Sequence, residues 1–215
     1  MKPSRLVALL TPALILAGCA RSGEIDTDGG VGITAVRTVC PTVGVPAGTG
    51  DITLFDPPAS RDQSAIDVTA VMTNVRSDCQ DAGDQMATTV SFDVLARRAR
   101  ADAPRDVTLP YYIAVVRGGS AVTAKRVGQI QLHFDAGQLR ATAQGQATSY
   151  ISRAAATLPE DVRRQLTRRR KAGDEDAAID PLTQPEVRQA VLAASFEALV
   201  GFQLTDEQLR YNATR

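Results

Sequence analysis

Several kinds of residue are scarce or absent in this sequence, and each absence excludes a class of function. The 215 residues include no tryptophan, three cysteines and one histidine, His133, so neither a His-rich nor a Cys-x-x-Cys metal motif can be formed. The G-x-S-x-G, H-E-x-x-H and P-loop patterns of common catalytic and nucleotide-binding sites are also missing. We therefore expect a protein that is not an enzyme and that uses no cofactor and no metal.

The charge of the chain is not biased toward either sign, with 24 Lys and Arg against 24 Asp and Glu. The overall charge therefore does not call for a nucleic-acid partner, and the envelope location inferred below is the reason that none is expected. Hydrophobic residues make up 44% and charged residues 22% of the sequence, which is typical of a globular domain. The length suits one large domain or two small ones.

The apolar run at the amino terminus, residues 6–16, is too short to span a membrane, which takes about 20 residues. Because two basic residues precede it, residues 1–18 are predicted to be a signal peptide. Leu16-Ala17-Gly18-Cys19 resembles the lipobox of bacterial lipoproteins. This resemblance implies that the Cys19 thiol takes a diacylglyceryl group through a thioether, that the chain is cleaved before Cys19, and that the new amino terminus is acylated, for instance with palmitate. The alternative is an ordinary signal peptide with a chance cysteine.

Acylation at Cys19 would anchor the chain, because two or more acyl chains hold a protein stably on a bilayer. Ala20 is not the Asp that retains lipoproteins at the inner membrane in the best-known sorting rule, which favours the outer membrane and its periplasmic face. Residues 19–34 are polar and Gly-rich and are predicted to be a flexible linker. A short Asp-rich stretch, residues 26–29, faintly resembles a calcium loop but lacks the late Glu of an EF-hand.

Cys40 and Cys79 remain once Cys19 carries lipid. An even pair of cysteines in the oxidising periplasm most simply forms a structural disulfide. A metal site and a reactive thiol are the alternatives.

From about residue 35 to residue 150, apolar and polar residues alternate with period two in several short runs, which predicts half-buried β-strands. These runs are 51–55, 66–72, 90–96, 111–116 and 130–134. Turn signals rich in Pro and Gly separate them. The pattern predicts an antiparallel β-sandwich of the immunoglobulin or fibronectin type. We further expect a tight hairpin at Gly137 and place Pro110 at the start of its strand.

Residues 153–193 change to a helical pattern. Pro159 is placed at a helix start and Gly173 at its end, and Val162 and Leu166 form an apolar ridge on this helix. Residues 186–193 form a second helical stretch, with Val187 and Val191 four positions apart. The next run, residues 196–204, suits either a strand or a helix, and its strict alternation favours a strand. The helices would then form an insertion before the last strand of a domain spanning residues 35–215. Thr205 and Gln208 form a capping box that opens a short C-terminal helix.

Six basic residues fall within nine positions of the first predicted helix. They are Arg163, Arg164, Arg168, Arg169, Arg170 and Lys171. One interpretation is a solvated helix whose charges are balanced by nearby acids. The other is a docking patch for an acidic protein surface or for lipid phosphates.

Four sequence features together resemble a family of uncharacterised Gram-negative envelope lipoproteins. They are Cys40-Pro41, Cys79, the segment LPYYIAVVRGG and the ending GFQLTDEQLRYN. The likeness covers about residues 40–212. It implies an envelope lipoprotein with a sandwich-like domain and implies no catalytic activity.

Three functions are compatible with these features. The favoured one is a membrane-anchored interaction or assembly module that docks on an envelope protein, such as an outer-membrane complex, through sandwich edges and loops. The second is a binding protein for a small apolar or lipid ligand, which would need an internal cavity. The third is an enzyme without a readable motif. The oligomeric state is left open.

Overall fold

The structure is a computed structural model, and it describes residues 37–171 and 173–214. The predicted signal peptide (1–18), the linker (19–34) and the acylation site Cys19 lie outside the described residues.

The alternating runs form strands, and the strands are longer than the sequence pattern indicated. Eight strands are present in the described residues: β1 (Thr42–Gly44), β2 (Asp51–Phe55), β3 (Ile66–Ala82), β4 (Gln85–Arg98), β5 (Arg105–Arg117), β6 (Ala121–Phe134), β7 (Arg140–Ser152) and β8 (Phe196–Phe202). Four helices accompany them: α1 (Arg153–Ala156), α2 (Glu160–Thr167), α3 (Pro185–Ala194) and α4 (Asp206–Thr214). Short 3-10 turns occupy Gln63–Ala65 and Pro181–Thr183.

The strands form two four-stranded sheets in the orders β1-β8-β5-β6 and β2-β3-β4-β7. All neighbours are antiparallel except β1 and β8, which are parallel. The inward residues of both sheets form one apolar core, because successive side chains of a strand point to opposite faces. Phe92 from one sheet and Phe134 and Phe202 from the other are almost fully buried there. The fold is therefore mainly β and sandwich-like, as predicted.

The predicted hairpin at Gly137 is wrong, because β6 and β7 belong to different sheets. Leu132, Phe134 and Ala141 all face the shared core, so the turn carries the chain from one sheet across to the other. Local alternation predicts the strands on each side of a turn but not whether they pair with each other.

Pro110 is also misplaced by the sequence reasoning, since β5 begins five residues earlier, at Arg105. The last register pair between β5 and β8 is Tyr111 with Phe202, and the Pro110 carbonyl accepts a hydrogen bond from Gln203 N just beyond it. The missing N–H of the proline thus falls where the neighbouring strand has ended, which is where its loss costs least.

A buried arginine that the sequence analysis did not single out closes one end of the sandwich. Arg98, at the end of β4, is 3% exposed. Its guanidinium donates to four backbone carbonyls, those of Ala103, Gln138, Asp135 and Asp102, at 2.7, 2.7, 2.9 and 3.2 Å. It also lies 5.4 Å from the centre of the Phe134 ring. One side chain therefore joins the loop after β4 to the crossing between β6 and β7.

The helices between β7 and β8 form a small apolar cluster of their own. Val162 and Leu166 of α2 pack with Val187 and Val191 of α3, which are the apolar ridges that the spacing predicted. Helix α4 begins with the predicted capping box. Gln208 N donates to Thr205 Oγ1 at 3.2 Å, and Thr205 N donates to Gln208 Oε1 at 2.9 Å.

Candidate functional site

The predicted disulfide is confirmed. Cys40 and Cys79 are bonded, and their Cα atoms lie 6.1 Å apart, inside the usual range of about 4.4–6.8 Å. Both cysteines pack against a small cluster of buried side chains, Met86, Val115, Ile151 and Ala156. The bond thus fixes the beginning of the described chain to the far end of β3.

The predicted basic helix is corrected, since α2 ends at Thr167 and not near Gly173. Only Arg163 and Arg164 lie on α2, and Arg168, Arg169, Arg170 and Lys171 follow its end. A continued helix would place Arg170 four positions after Leu166, on the apolar ridge that is buried against α3. The backbone instead turns extended at Arg168, with φ −61° and ψ 124°.

Arg170 points inward and holds the segment after α2 in place. It is 5% exposed, and its Nε lies 3.3 Å from Asp176 Oδ2. Side chains alternate along an extended segment, so the two flanking cations, Arg169 and Lys171, point outward, and both are exposed. Arg170 is therefore an interior residue and not part of a docking surface.

Nearby acids neutralise part of the cluster. Glu160 accepts two hydrogen bonds from Arg163, at 2.6 and 2.8 Å, and Arg164 Nε lies 4.0 Å from the same carboxylate. Arg168 lies 3.3 Å from Asp176. Within the described residues, Arg169 and Lys171 make no ion pair. We name Arg164, Arg169 and Lys171, whose charges are least compensated, the basic patch.

A cleft of 680 Å³ lies against α2, with Arg163 and Thr167 in its lining. Its apolar lining includes Val39, Leu166, Val191 and Phe196, drawn from the segment at the disulfide, from α2 and α3, and from the start of β8. The sequence predicted the ridges of the helices but gave no sign that the Cys40 segment would lie opposite them.

The described chain begins on the wall of this cleft. Arg37 lines it together with Arg163 and Thr167 of α2, and Arg37 Nη1 lies 3.5 Å from Ser195 Oγ. The end of the domain that carries the basic patch is therefore also the end at which the chain enters from Cys19.

His133 lies on the outward side of β6 and is exposed. Its Nδ1 lies 2.6 Å from Asp106 Oδ1, and this hydrogen bond raises the pKa of His133 above its ordinary value. It lines neither the cleft nor the basic patch.

Residues 37–171 and 173–214 contain no cluster of His, Cys, Asp and Glu that could hold a metal ion. In the same segments, no helix is long and apolar enough to cross a membrane. No family model matches the chain, and comparisons with curated proteins and with solved structures return no match.

Proposed function

We propose that the chain is an envelope lipoprotein of the group it resembles. Acylated at Cys19, it would act as a non-enzymatic module that docks on a protein partner at the periplasmic face of the outer membrane. One observation carries this proposal: Arg37, where the described chain begins, lines the same cleft as Arg163 and Thr167 of α2, and the basic patch starts at the next residue, Arg164. Because the point of attachment limits the volume in which these cations move, they would readily meet an acidic partner surface at the membrane.

The length of the chain before Arg37 sets the reach of the basic patch. Residues 20–36 separate Cys19 from Arg37, and an extended chain spans at most about 3.5 Å per residue. Arg37, at the start of the described domain, would thus lie within about 60 Å of the bilayer. This distance suits docking on a membrane-embedded complex or on its periplasmic part.

We also propose that the sandwich is of the immunoglobulin or fibronectin type and that residues 35–215 form one domain. The α1–α3 segment would be an insertion before its last strand. Two observations support this: α1–α3 follow β7 directly and end two residues before β8, and β8 lies between β1 and β5 inside its sheet.

Reversing the charge of the basic patch is expected to abolish partner docking and to leave folding intact. The variant Arg164→Glu, Arg169→Glu, Lys171→Glu should lose the adducts that a chemical crosslinker forms in native envelopes, because an acidic surface would now be repelled. Its unfolding midpoint should change little, since exposed ion pairs contribute under about 1 kcal/mol. Wild-type crosslinking should fall with added salt, because exposed charges are screened within about 8 Å at physiological ionic strength.

A matched control makes the same change of charge elsewhere. Arg76, Arg126 and Arg210 are exposed and make no ion pair among the described residues, and their replacement by Glu should leave the adducts in place. If the patch variant keeps every adduct while its fold is intact, the patch is only a solvated surface and the docking proposal is wrong.

The anchor gives a separate prediction. Cys19→Ala should abolish incorporation of a palmitate analogue and release an unanchored precursor, because no other side chain in the lipobox can form the thioether. Metabolic labelling followed by membrane fractionation measures both effects. Label that persists in the variant would refute acylation at Cys19.

The cleft supports a second candidate function, binding of a small apolar or lipid ligand. Its 680 Å³ falls within the range of about 300–1,000 Å³ that is typical of ligand pockets, and its lining is largely apolar. Native mass spectrometry of protein purified from its own envelope would detect a retained lipid. Its displacement in Leu192→Trp, a change at a lining residue that is 47% exposed, would place it in the cleft.

A further inference from the structure

Two arginines stand side by side on the outer face of the sheet β2-β3-β4-β7. Arg97 of β4 and Arg140 of β7 are register partners, and both side chains are exposed. Residues directly opposite each other on adjacent antiparallel strands have Cβ atoms about 5 Å apart, and like charges in such a pair are destabilising.

No acidic side chain in the described residues compensates this pair. The ion pairs of the domain involve other arginines, including Arg100 and Arg105 nearby, and neither Arg97 nor Arg140 takes part in any of them. The third residue of their row, on β3, is Thr69, which is uncharged. A pair of like charges that no nearby acid neutralises indicates a functional surface more often than a structural feature.

The next row of the same face is apolar and unusually open. Val71 and Leu95 are register partners and are 44% and 45% exposed, and Thr142 continues the row on β7. Together with the two arginines, and with Asp51 as the register partner of Val71 at the β2 end, they line a shallow groove of 540 Å³. The groove therefore joins two uncompensated cations to two exposed aliphatic side chains.

We propose that this groove binds an extended segment of a protein partner that carries a carboxylate and, two residues away, an aliphatic side chain. A carboxylate between Arg97 and Arg140 would accept hydrogen bonds from both guanidinium groups. Leu95 and Arg97 are two positions apart along β4, about 6.7 Å. An extended ligand running along β4 has the same spacing between alternate side chains, so its aliphatic group would cover Val71 and Leu95.

The surroundings favour a peptide segment over an anionic membrane. Membrane-binding surfaces use clusters of about four to eight Lys and Arg, whereas two line this groove. On the other side of the apolar row lies Asp93, held by Asn74 Nδ2 at 2.8 Å and by Gln144 Nε2 at 3.1 Å. A fixed carboxylate at that position would repel lipid phosphates. The groove is separate from the basic patch, and its proposal does not depend on acylation of Cys19.

A fluorescent peptide probe tests the groove directly. The sequence GTETLTVG, labelled with fluorescein, places Glu and Leu two residues apart, and its binding to the full chain is followed by anisotropy. Arg97→Ala and Arg140→Ala should each weaken binding roughly tenfold, as expected for loss of one charge-assisted hydrogen bond. Arg126→Ala, an exposed arginine on the other sheet, should leave the affinity unchanged.

Several results would overturn the proposal. One is a Glu→Gln peptide that binds as tightly as the Glu peptide. Another is a pair of arginine variants that bind like wild type. A third is that the full chain carrying Cys19→Ala floats with vesicles of 30% phosphatidylglycerol and no longer does so when Arg97→Ala is added. That result would make the face a lipid-binding surface. Measuring the unfolding midpoint of each arginine variant excludes misfolding separately. We expect the midpoint to be unchanged or higher when either arginine is removed.

Discussion

Replacing Arg98 with methionine is expected to lower the free energy of unfolding by about 3–5 kcal/mol, the range found when a buried charged network is broken. The guanidinium of Arg98 donates to four backbone carbonyls and is 3% exposed. Methionine fills much of the space but donates nothing, so the four carbonyls lose their donor, each at a cost of about 1–3 kcal/mol where water cannot replace it. Urea denaturation followed by far-ultraviolet circular dichroism measures the loss.

Two further variants locate the cause of this loss. Arg98→Lys keeps the charge but cannot reach carbonyls on both loops, because it lacks the planar fork of arginine, and its stability should fall between methionine and wild type. Arg97→Met alters the adjacent exposed arginine and should change stability by less than about 0.5 kcal/mol. If Arg98→Met also changes the free energy of unfolding by less than about 0.5 kcal/mol, contacts other than those of Arg98 hold the loops.

Removing the disulfide with Cys40→Ala and Cys79→Ala is expected to cost about 4 kcal/mol. The two cysteines are 39 residues apart, and the loss of loop-closure entropy in the unfolded chain gives this magnitude for a loop of that length. The bond also joins the segment on the wall of the cleft to the end of β3, so the cleft should be less well ordered in the variant. Thermal and urea unfolding of the variant and of the wild type measure the difference.

Reduction provides the control for the disulfide prediction. A reductant should bring the wild-type midpoint down to that of the double variant and should have no effect on the variant itself. A stabilising role is contradicted if the unfolding midpoint of the wild type does not change with reductant although mass spectrometry shows that both thiols are free.

Much of the fold could be predicted from local pattern. Period-two alternation identified most of the strands, including the ambiguous run that became β8, because one face of each strand is buried. The capping box at Thr205 was likewise readable, since its donors and acceptors lie three residues apart. The pairing of strands was not readable, and the hairpin expected at Gly137 is a crossing between sheets, because the partner of a strand is decided by contacts distant in sequence.

The candidate sites show the same division between local and distant contacts. The disulfide followed from counting cysteines in a chain expected to lie in an oxidising compartment. The end of α2 could not be predicted in this way, because it depends on the burial of Arg170 and on its contact with Asp176. Charge density alone gave no reason to distinguish among the six arginines and lysines. Arg98, the cleft and the Arg97–Arg140 pair each depend on register or on packing between segments far apart in the sequence, which no local motif records.

The central claim is that an anchored domain presents its basic patch to an envelope protein. Site-specific photocrosslinking from position 169 in native envelopes tests it most directly, with p-benzoylphenylalanine in place of Arg169 and, as a control position, of Arg126. The account predicts a discrete protein adduct from position 169, none of the same mass from position 126, and loss of the adduct when Cys19→Ala is added. Adducts of equal yield from both positions, or an adduct from position 169 that persists without the anchor cysteine, would contradict it.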